Sequence, residues 1–273
     1  MGIHRAWFQG LSVMTNLALQ SYIDLAQKRS IQALKYAIPL ALLLAAMFYL
    51  FPSIDLATSG WFYDHQLRLH QLANALSQPE TDLSINTGFP LATSRFLIFV
   101  YAAVDVLSRA ALIISMLLCV FFAIRKNARF LPALIVTLSL IAGPILAVNG
   151  GLKEHWGRAR PRDVVQFGGT QKFTPAWVIS DQCTHNCSFV TGHGAAAFAV
   201  TIGFFVSRRK AWLAGGLVFG GLIGLTRMMN GAHFLSDVTF SFFVVFIAAA
   251  LVAFIVSKVW PVKQGVLNTQ DTK

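Results

Sequence analysis

The sequence predicts an all-α protein, a polytopic membrane helix bundle with about six transmembrane helices. Its 273 residues are 56% hydrophobic and only 12% charged, whereas a soluble domain averages roughly 25% charged residues. The chain also contains 23 phenylalanines, which suit a lipid-facing surface. Several apolar stretches approach the roughly 20 residues that a helix needs to cross a bilayer. Composition therefore places the chain in the membrane class.

Six apolar stretches are candidate membrane spans. In chain order they are residues 36–51, 104–124, 130–148, 194–206, 211–226 and 238–257. The fourth and fifth are short and rich in small residues, which is typical of helices packed inside a bundle. Before the first span, apolar residues between Trp7 and Leu25 recur at nearly helical spacing, which is compatible with an interfacial amphipathic helix; a disordered tail is the alternative.

Lysine and arginine set the expected orientation of these spans. Basic clusters precede the first span, separate the second from the third and the fourth from the fifth, and follow the sixth. With six spans all four clusters lie on one side, which the positive-inside rule makes cytoplasmic. We expect a cytoplasmic or interfacial segment at 1–35, an integral membrane domain at 36–258 and a cytoplasmic tail at 259–273. Both termini are then cytoplasmic.

Three loops on the opposite, non-cytoplasmic face hold most of the unusual polar residues. The loop at 149–191 is itself basic, which breaks the topology rule locally and calls for a functional explanation. A phosphoryl-transfer site needs several cations around the phosphate oxygens. Lys153, Arg160 and Arg227 supply them. Thr191 and Gly192, at the start of a helix, offer backbone N–H groups and a positive helix end to the same anion.

Three further residues have the chemistry of a catalytic set. His233 and Asp237 are four apart, so on a helix they share a face, and the carboxylate can orient a nucleophilic imidazole. His193 is the candidate that protonates the leaving oxygen. An interpretation of such residues as interfacial side chains that reach toward water is weaker for the complete set than for any one of them.

The ordered pattern Lys153-x6-Arg160-Pro161, Thr191-Gly192-His193 and Arg227-x5-His233-x3-Asp237 resembles the signature of the type-2 phosphatidic acid phosphatase (lipid phosphate phosphatase) superfamily. The resemblance covers about residues 130–257. The family usually has Pro-Ser before Gly-His, whereas this chain has valine and threonine there, which keeps the hydroxyl but removes some loop rigidity.

The resemblance implies roles for these residues. His233 attacks phosphorus, Asp237 positions it, and His193 protonates the leaving group and later activates the water that hydrolyses the phosphohistidine. The phosphate oxygens are held by the remaining motif residues, Lys153, Arg160, Thr191, Gly192 and Arg227. The family is metal-independent, so we expect no metal and no cofactor.

Five residues outside the signature admit two interpretations each. Arg158 is expected to be a simple loop charge or a local ion pair rather than a head-group ligand. Asp105 and Arg109, four apart in the second span, are expected to form an intrahelical ion pair. Cys183 and Cys187 lie in the outer loop, where a local disulfide is favoured over a zinc site that includes His185.

The resemblance implies a phosphatase of membrane lipids, and with the basic clusters it predicts an active site on the periplasmic face of a bacterial inner membrane. The segments 51–63, 167–175 and 186–189 look similar to members of the family from Gram-negative bacteria, some of which act on lipid A. The resemblance therefore favours lipid A as the substrate, with undecaprenyl pyrophosphate, phosphatidylglycerophosphate and phosphatidic acid as alternatives. The rival hypothesis is a membrane protein that binds or moves lipid phosphates without hydrolysis. We expect membrane lipids as partners, no obligate protein partner, and no nucleic acid, since the basic residues are split between two faces.

Overall fold

The computed structural model describes residues 2–77 and 87–260, with side chains described from Leu17 onward apart from residues 75 and 76. The helices are α1 (Gly2–Leu50), α2 (Ser53–Gly60), α3 (His65–Ser77), α4 (Arg95–Ile124), α5 (Phe130–His155), α6 (Gly192–Val206), α7 (Ala211–Met229) and α8 (Leu235–Val259). No strand occurs within these described ranges. The prediction of an all-α bundle is confirmed.

Five helices are long and apolar enough to cross a membrane, judged by length and composition over the described residues. They are α1 from Leu17 onward, α4, α5, α7 and α8, and the shorter apolar α6 completes the predicted six. Half of the most apolar window of α8 is buried, against 6% for α4. The last helix is therefore the centre of the bundle, and α4 lies at its lipid-facing edge.

Small residues allow the helices to pack closely around α8. Ala249, Ala250 and Ala253 are fully buried on it, and α1 runs along the same helix. Lipid tails are as apolar as these side chains, so close van der Waals packing rather than burial from water drives such contacts. Where α1 ends and α8 begins, Phe48 and Phe240 pack edge to face with ring centroids 6.0 Å apart.

The first helix continues through the predicted boundary at residue 35 without a break. Ile23 and Ala26 are buried, and the Arg29 guanidinium donates hydrogen bonds to the carbonyl of Phe204 in the last turn of α6 and to those of Ser207 and Arg208, which follow it. The segment from Leu19 onward therefore packs against the bundle. Part of the predicted amphipathic helix, residues 7–14, lies outside the residues whose side chains the structure describes.

The short helices α2 and α3 are not membrane spans. Together with the loop at 156–191 they cover the end of the bundle at which α8 begins. A small aromatic cluster joins them: Phe89, Phe167 and Phe234 are buried, and Tyr63 packs on the first two with ring centroids 5.5 and 5.2 Å away. This cluster fixes the 156–167 loop against the turn that precedes α8, which carries His233.

Candidate active site

The sequence-predicted residues meet at one end of the bundle, where α5 and α7 end and α6 and α8 begin. Lys153 ends α5, Arg160 follows in the loop, Thr191, Gly192 and His193 begin α6, Arg227 is in the last turn of α7, and His233 and Asp237 stand at the start of α8. The charges of Arg160 and Arg227 act on Lys153 and on both histidines. The structure thus brings all eight into one site.

His233 is held in the form that a nucleophile requires. Its ring is 1% exposed, and Nδ1 lies 2.8 Å from the carbonyl oxygen of Ser188. Because a carbonyl oxygen only accepts hydrogen bonds, Nδ1 carries the proton and Nε2 keeps its lone pair. Burial, together with the positive charge of Arg227, lowers the pKa of His233 to about 3. The imidazole is therefore neutral at physiological pH and nucleophilic at Nε2.

Asp237 is more remote from the histidine ring than its expected role implies. Its Oδ2 lies 3.7 Å from Nδ1 of His233, longer than a hydrogen bond. The same oxygen accepts from the Ser188 hydroxyl at 2.5 Å and from the Phe234 backbone N–H at 2.8 Å. The carboxylate therefore fixes Ser188 and the turn that carries His233. The imidazole is oriented directly by Ser188, which the sequence analysis did not single out.

Arg158 corrects one expectation, because it is neither a simple loop charge nor a local ion pair. Its side chain is fully buried and donates to Asp237 Oδ1 at 2.6 Å, Asp55 Oδ2 at 2.8 Å and Ser236 Oγ at 2.8 Å. Burial alone would lower the pKa of Arg158, but attraction to Asp237 and Asp55 outweighs it and the pKa is raised. A buried ion triad thus holds Asp237 in place.

Thr191 and Gly192 form the N-terminus of α6, as predicted. The Thr191 hydroxyl accepts from the Gly194 N–H at 3.3 Å and caps the helix. A Cβ on Gly192 would lie 3.0 Å from Asn149 Oδ1 and 3.4 Å from Lys153 Nζ. Glycine therefore leaves the room in which the lysine ammonium reaches the helix end, where backbone N–H groups favour an anion.

A single residue, Asn186, holds two of the phosphate-binding cations. Its Oδ1 accepts from Lys153 Nζ at 2.7 Å and its backbone carbonyl accepts from Arg160 Nη2 at 2.7 Å. Asn186 has φ of +50°, a conformation that asparagine adopts more readily than most residues. Burial and the nearby Arg162 lower the pKa of Arg160 to about 10, which leaves it charged.

The Cys183–Cys187 disulfide closes the turn that presents Asn186. Their sulfurs are bonded to each other, and His185 pairs instead with Glu154 at 2.5 Å. No cluster of metal-ligating side chains occurs in the part of the chain that the structure describes. The zinc interpretation of this loop therefore has no ligand set, whereas the disulfide has the expected partners.

Arg227 completes the cationic wall. Its guanidinium carbon lies 4.3 Å from the centroid of the Tyr101 ring. Its Nε is buried and donates to no group of the described residues. A buried donor of this kind is costly unless a ligand accepts from it, so Nε of Arg227 is available to a phosphate oxygen.

Asp105 has a partner, His193, that differs from the one expected from the sequence. The Nε2 of His193 lies 3.5 Å from Oδ1 of Asp105 on α4. The predicted Asp105–Arg109 pair is wrong: among the described residues the ion-pair partner of Asp105 is this histidine. The reason is tertiary, since α4 packs against the start of α6.

An apolar cavity of about 870 Å³ opens beside the site. Lys153, Gly192 and His193 line it where α6 begins, and Val206 and Trp212 line it where that helix ends. A separate polar cleft of about 590 Å³ lies on the outer surface and includes Arg162 and His185. The site therefore borders the apolar cavity directly, and the polar cleft is related to it through Arg162, whose charge acts on Arg160.

Comparison with known proteins agrees with this geometry. Residues 132–261 match the PAP2 superfamily. A Lipid A 4'-phosphatase from Francisella tularensis subsp. novicida is 33% identical over 210 residues, which are 75% of this chain and 87% of that protein. Lipid A 4'-phosphatases from Rhizobium etli and Rhizobium leguminosarum are 41% and 42% identical over 104 and 103 residues, 37% of this chain in both cases and 40% and 44% of theirs. No solved structure matches the chain.

The matched region contains every residue of the predicted signature, whereas Asp55 and Asp105 precede it. These comparisons confirm the predicted class of reaction, hydrolysis of a phosphate monoester carried by a membrane lipid. The extent and identity of the Francisella match also decide the family. The chain belongs to the PAP2 superfamily.

Proposed function

We propose that this chain removes a phosphate monoester from lipid A through a phosphohistidine formed on His233. The neutral, Nδ1-protonated imidazole of His233 is the observation that carries the proposal. In the first step Nε2 bonds to phosphorus as the bond to the sugar oxygen breaks, and His193 gives that oxygen a proton. In the second, water attacks the phosphohistidine, gives a proton to His193 and releases inorganic phosphate. The sum is one ester and one water converted to one alcohol and one phosphate.

The cations stabilise the charge that the phosphoryl group carries through both steps. Lys153, Arg160 and Arg227 surround the start of α6, whose backbone N–H groups add to the same field. Hydrogen bonds to Asn186 hold the side chains of Lys153 and Arg160 in place before the phosphate binds, so these side chains need to move little when it does. These groups supply positive charge of the kind that metal ions provide in other phosphoryl-transfer sites.

The two compartments favour a glycolipid phosphate. Acyl chains fit the apolar cavity along α6, since pockets that bury apolar ligands are lined mainly by apolar side chains. The polar cleft that includes Arg162 has room for sugar rings, and Arg162 is within electrostatic reach of Arg160. Phosphatidic acid has no sugar to fill such a cleft. The relatives named as lipid A 4'-phosphatases support the same choice.

The proposed location is a bacterial inner membrane, with both termini cytoplasmic and the site on the periplasmic face. The basic clusters at 125–129 and 208–210 lie at the helix ends opposite the site, as the positive-inside rule requires of a cytoplasmic face. A disulfide beside the site also fits an oxidising compartment. Reporter fusions at either terminus test this, and an active periplasmic reporter would contradict it.

The direct experiment is phosphate release by purified protein in detergent with EDTA, over a panel of lipid A and the three alternative lipids. Wild type is compared with His233→Ala and with His155→Ala, a matched exposed histidine outside the site. We expect release from lipid A that only His233→Ala abolishes, and mass spectrometry identifies the phosphate position. Binding without release from any lipid would favour the non-catalytic alternative.

A phosphohistidine has its own signature. Protein quenched in alkali during turnover of ³²P-labelled substrate should retain label that acid removes, because the P–N bond is acid-labile. The label should be lost in His233→Ala and retained in His155→Ala. Turnover without any labelled protein would contradict covalent catalysis.

A further inference from the structure

We infer that Asp105 is a positioning residue that orients His193 for proton transfer to the leaving oxygen. The inference rests on the proposed function and adds to it a residue from α4, a helix outside the matched family region. Each catalytic histidine then has its own orienting group, the Ser188 carbonyl for His233 and the Asp105 carboxylate for His193.

The first argument is the placement of α4. Tyr101 and Asp105 are four apart and so share a helix face. The Tyr101 hydroxyl donates to the carbonyl of Thr226 at 2.9 Å, which fastens α4 to the last turn of α7. The Tyr101 ring also meets the His193 ring edge to face, with centroids 5.4 Å apart. This face of α4 therefore forms a wall of the site.

The second argument is the geometry of the imidazole. Asp105 Oδ1 lies 3.5 Å from Nε2 of His193. His193 enters the first step as the imidazolium that the second step regenerates, with its Nε2–H toward Asp105 and its Nδ1–H toward the leaving oxygen. A general acid is effective when its second ring nitrogen is held by a carboxylate or carbonyl. Catalytic hydrogen bonds that are long without substrate commonly tighten in the complex, and 3.5 Å requires only a small movement of either side chain.

The third argument is charge. The groups that act on His193 are Arg227 on α7, Lys153 on α5, Arg160 in the loop and Asp105 on α4. When His193 takes a proton from water in the second step, the three cations repel the new imidazolium. Asp105 is the carboxylate within ion-pair distance of this ring in the described part of the chain, and it stabilises that imidazolium. A carboxylate near a bilayer is costly, so its presence there calls for such a role.

The rival interpretation is that Asp105 is an interfacial carboxylate without influence on the chemistry, since its side chain is 51% exposed. The two interpretations differ in how a substitution depends on the leaving group. A poor leaving group, such as a sugar alcohol, needs protonation as the ester bond breaks, whereas a nitrophenolate leaves without it. Loss of general-acid function therefore affects the first type of substrate selectively.

The test compares kcat/KM for lipid A and for p-nitrophenyl phosphate, since kcat/KM reports on the steps up to phosphohistidine formation. The variants are Asp105→Asn, Asp105→Glu, His193→Ala, the Asp105→Asn/His193→Ala double variant, and Asp24→Asn, the same substitution at an exposed position of α1. For Asp105→Asn we expect a loss of about 10- to 100-fold on lipid A, part of the 10²–10⁴-fold that general acid catalysis supplies. On the aryl ester the loss should be under about threefold.

Three further results are expected. Asp105→Glu retains more lipid A activity than Asp105→Asn, the double variant is no slower than His193→Ala alone, and Asp24→Asn matches wild type. Three results would each overturn the inference: equal losses of activity on both substrates, additive losses in the double variant, or misfolding of the Asp105→Asn protein. In each case the wild-type and His233→Ala data would still support the proposed function. A wild type inactive on both esters would overturn the proposed function and this inference with it.

Discussion

Arg158 offers the sharpest test of the structure, because replacing it with methionine leaves two buried carboxylates without their shared cation. Four hydrogen bonds are lost, to Asp55, Asp237, Ser236 and the carbonyl of Thr174. Breaking a buried ion pair by removing one partner costs about 3–5 kcal/mol, against about 0–1 kcal/mol for an exposed pair. Since Arg158 and both carboxylates are 0% exposed, the larger figure applies.

The chain supplies a matched control in the same loop. Arg162 lies 3.8 Å from Asp163 with the two side chains 32% and 46% exposed, so Arg162→Met should cost less than about 1 kcal/mol. Unfolding free energies are measured by denaturing titration in mixed detergent micelles. A loss for Arg158→Met no larger than for Arg162→Met would refute the buried triad.

A double variant separates the ion triad from simple loss of packing. Asp55→Asn removes one of the two unpaired negative charges that Arg158→Met creates, so the double variant should be more stable than the sum of single losses predicts. A coupling of about 1–3 kcal/mol is expected for residues in one buried network. Additive losses would mean that Arg158 acts through its volume alone.

Three further predictions concern His233, Asn186 and the apolar cavity. The unfolding free energy should fall by up to about 1.4 kcal/mol per pH unit as the pH drops from 6.5 toward about 3. The reason is that His233 of the unfolded chain binds a proton that the buried side chain does not. Measuring the unfolding free energy as a function of pH checks this, and His233→Asn should reduce its dependence on pH. Asn186→Gly keeps the positive φ but removes the oxygen that accepts the hydrogen bond of Lys153. A hydrogen bond to a charged group is worth about 1.5 kcal/mol, so KM should rise about 10-fold while the stability stays at the wild-type value. Val200→Trp should fill the cavity and lower kcat/KM at least about 10-fold for lipid A while p-nitrophenyl phosphate is unaffected, and lipid-facing Val218→Trp should change neither.

The signature residues were predictable because their spacing along the chain reflects local geometry. Asp237 lies in the first turn of α8 and His233 two residues before that helix rather than on it, and Thr191 caps the start of α6. The membrane spans were predictable from hydropathy, although α1, α4 and α5 extend well beyond the predicted limits and α6, α7 and α8 extend by two or three residues. Polar residues at helix ends, such as Arg95, lower the hydropathy without ending the helix.

The supporting residues could not be predicted because their partners are distant in sequence. Arg158 bonds to carboxylates 79 and 103 positions away, so its environment depends on the tertiary fold. Asp105 was assigned to Arg109 by helical spacing, and the packing of α4 on α6 gave it His193 instead. For Asn186 the available signal was an asparagine among the three residues between two cysteines, a position where a left-handed conformation is common.

The length of α6 has a consequence for where in the membrane the reaction occurs. Its 15 residues rise about 22 Å, less than the roughly 30 Å of bilayer hydrocarbon. Arg29 donates hydrogen bonds to a carbonyl in the last turn of α6 and to those of the two residues that follow the helix. A helix shorter than the hydrocarbon is matched by local thinning of the bilayer, so in the proposed orientation the phosphate-binding end of α6 is recessed toward the acyl chains. A substrate must sink to meet it, which favours amphiphiles whose phosphate sits close to their hydrocarbon over soluble phosphate esters.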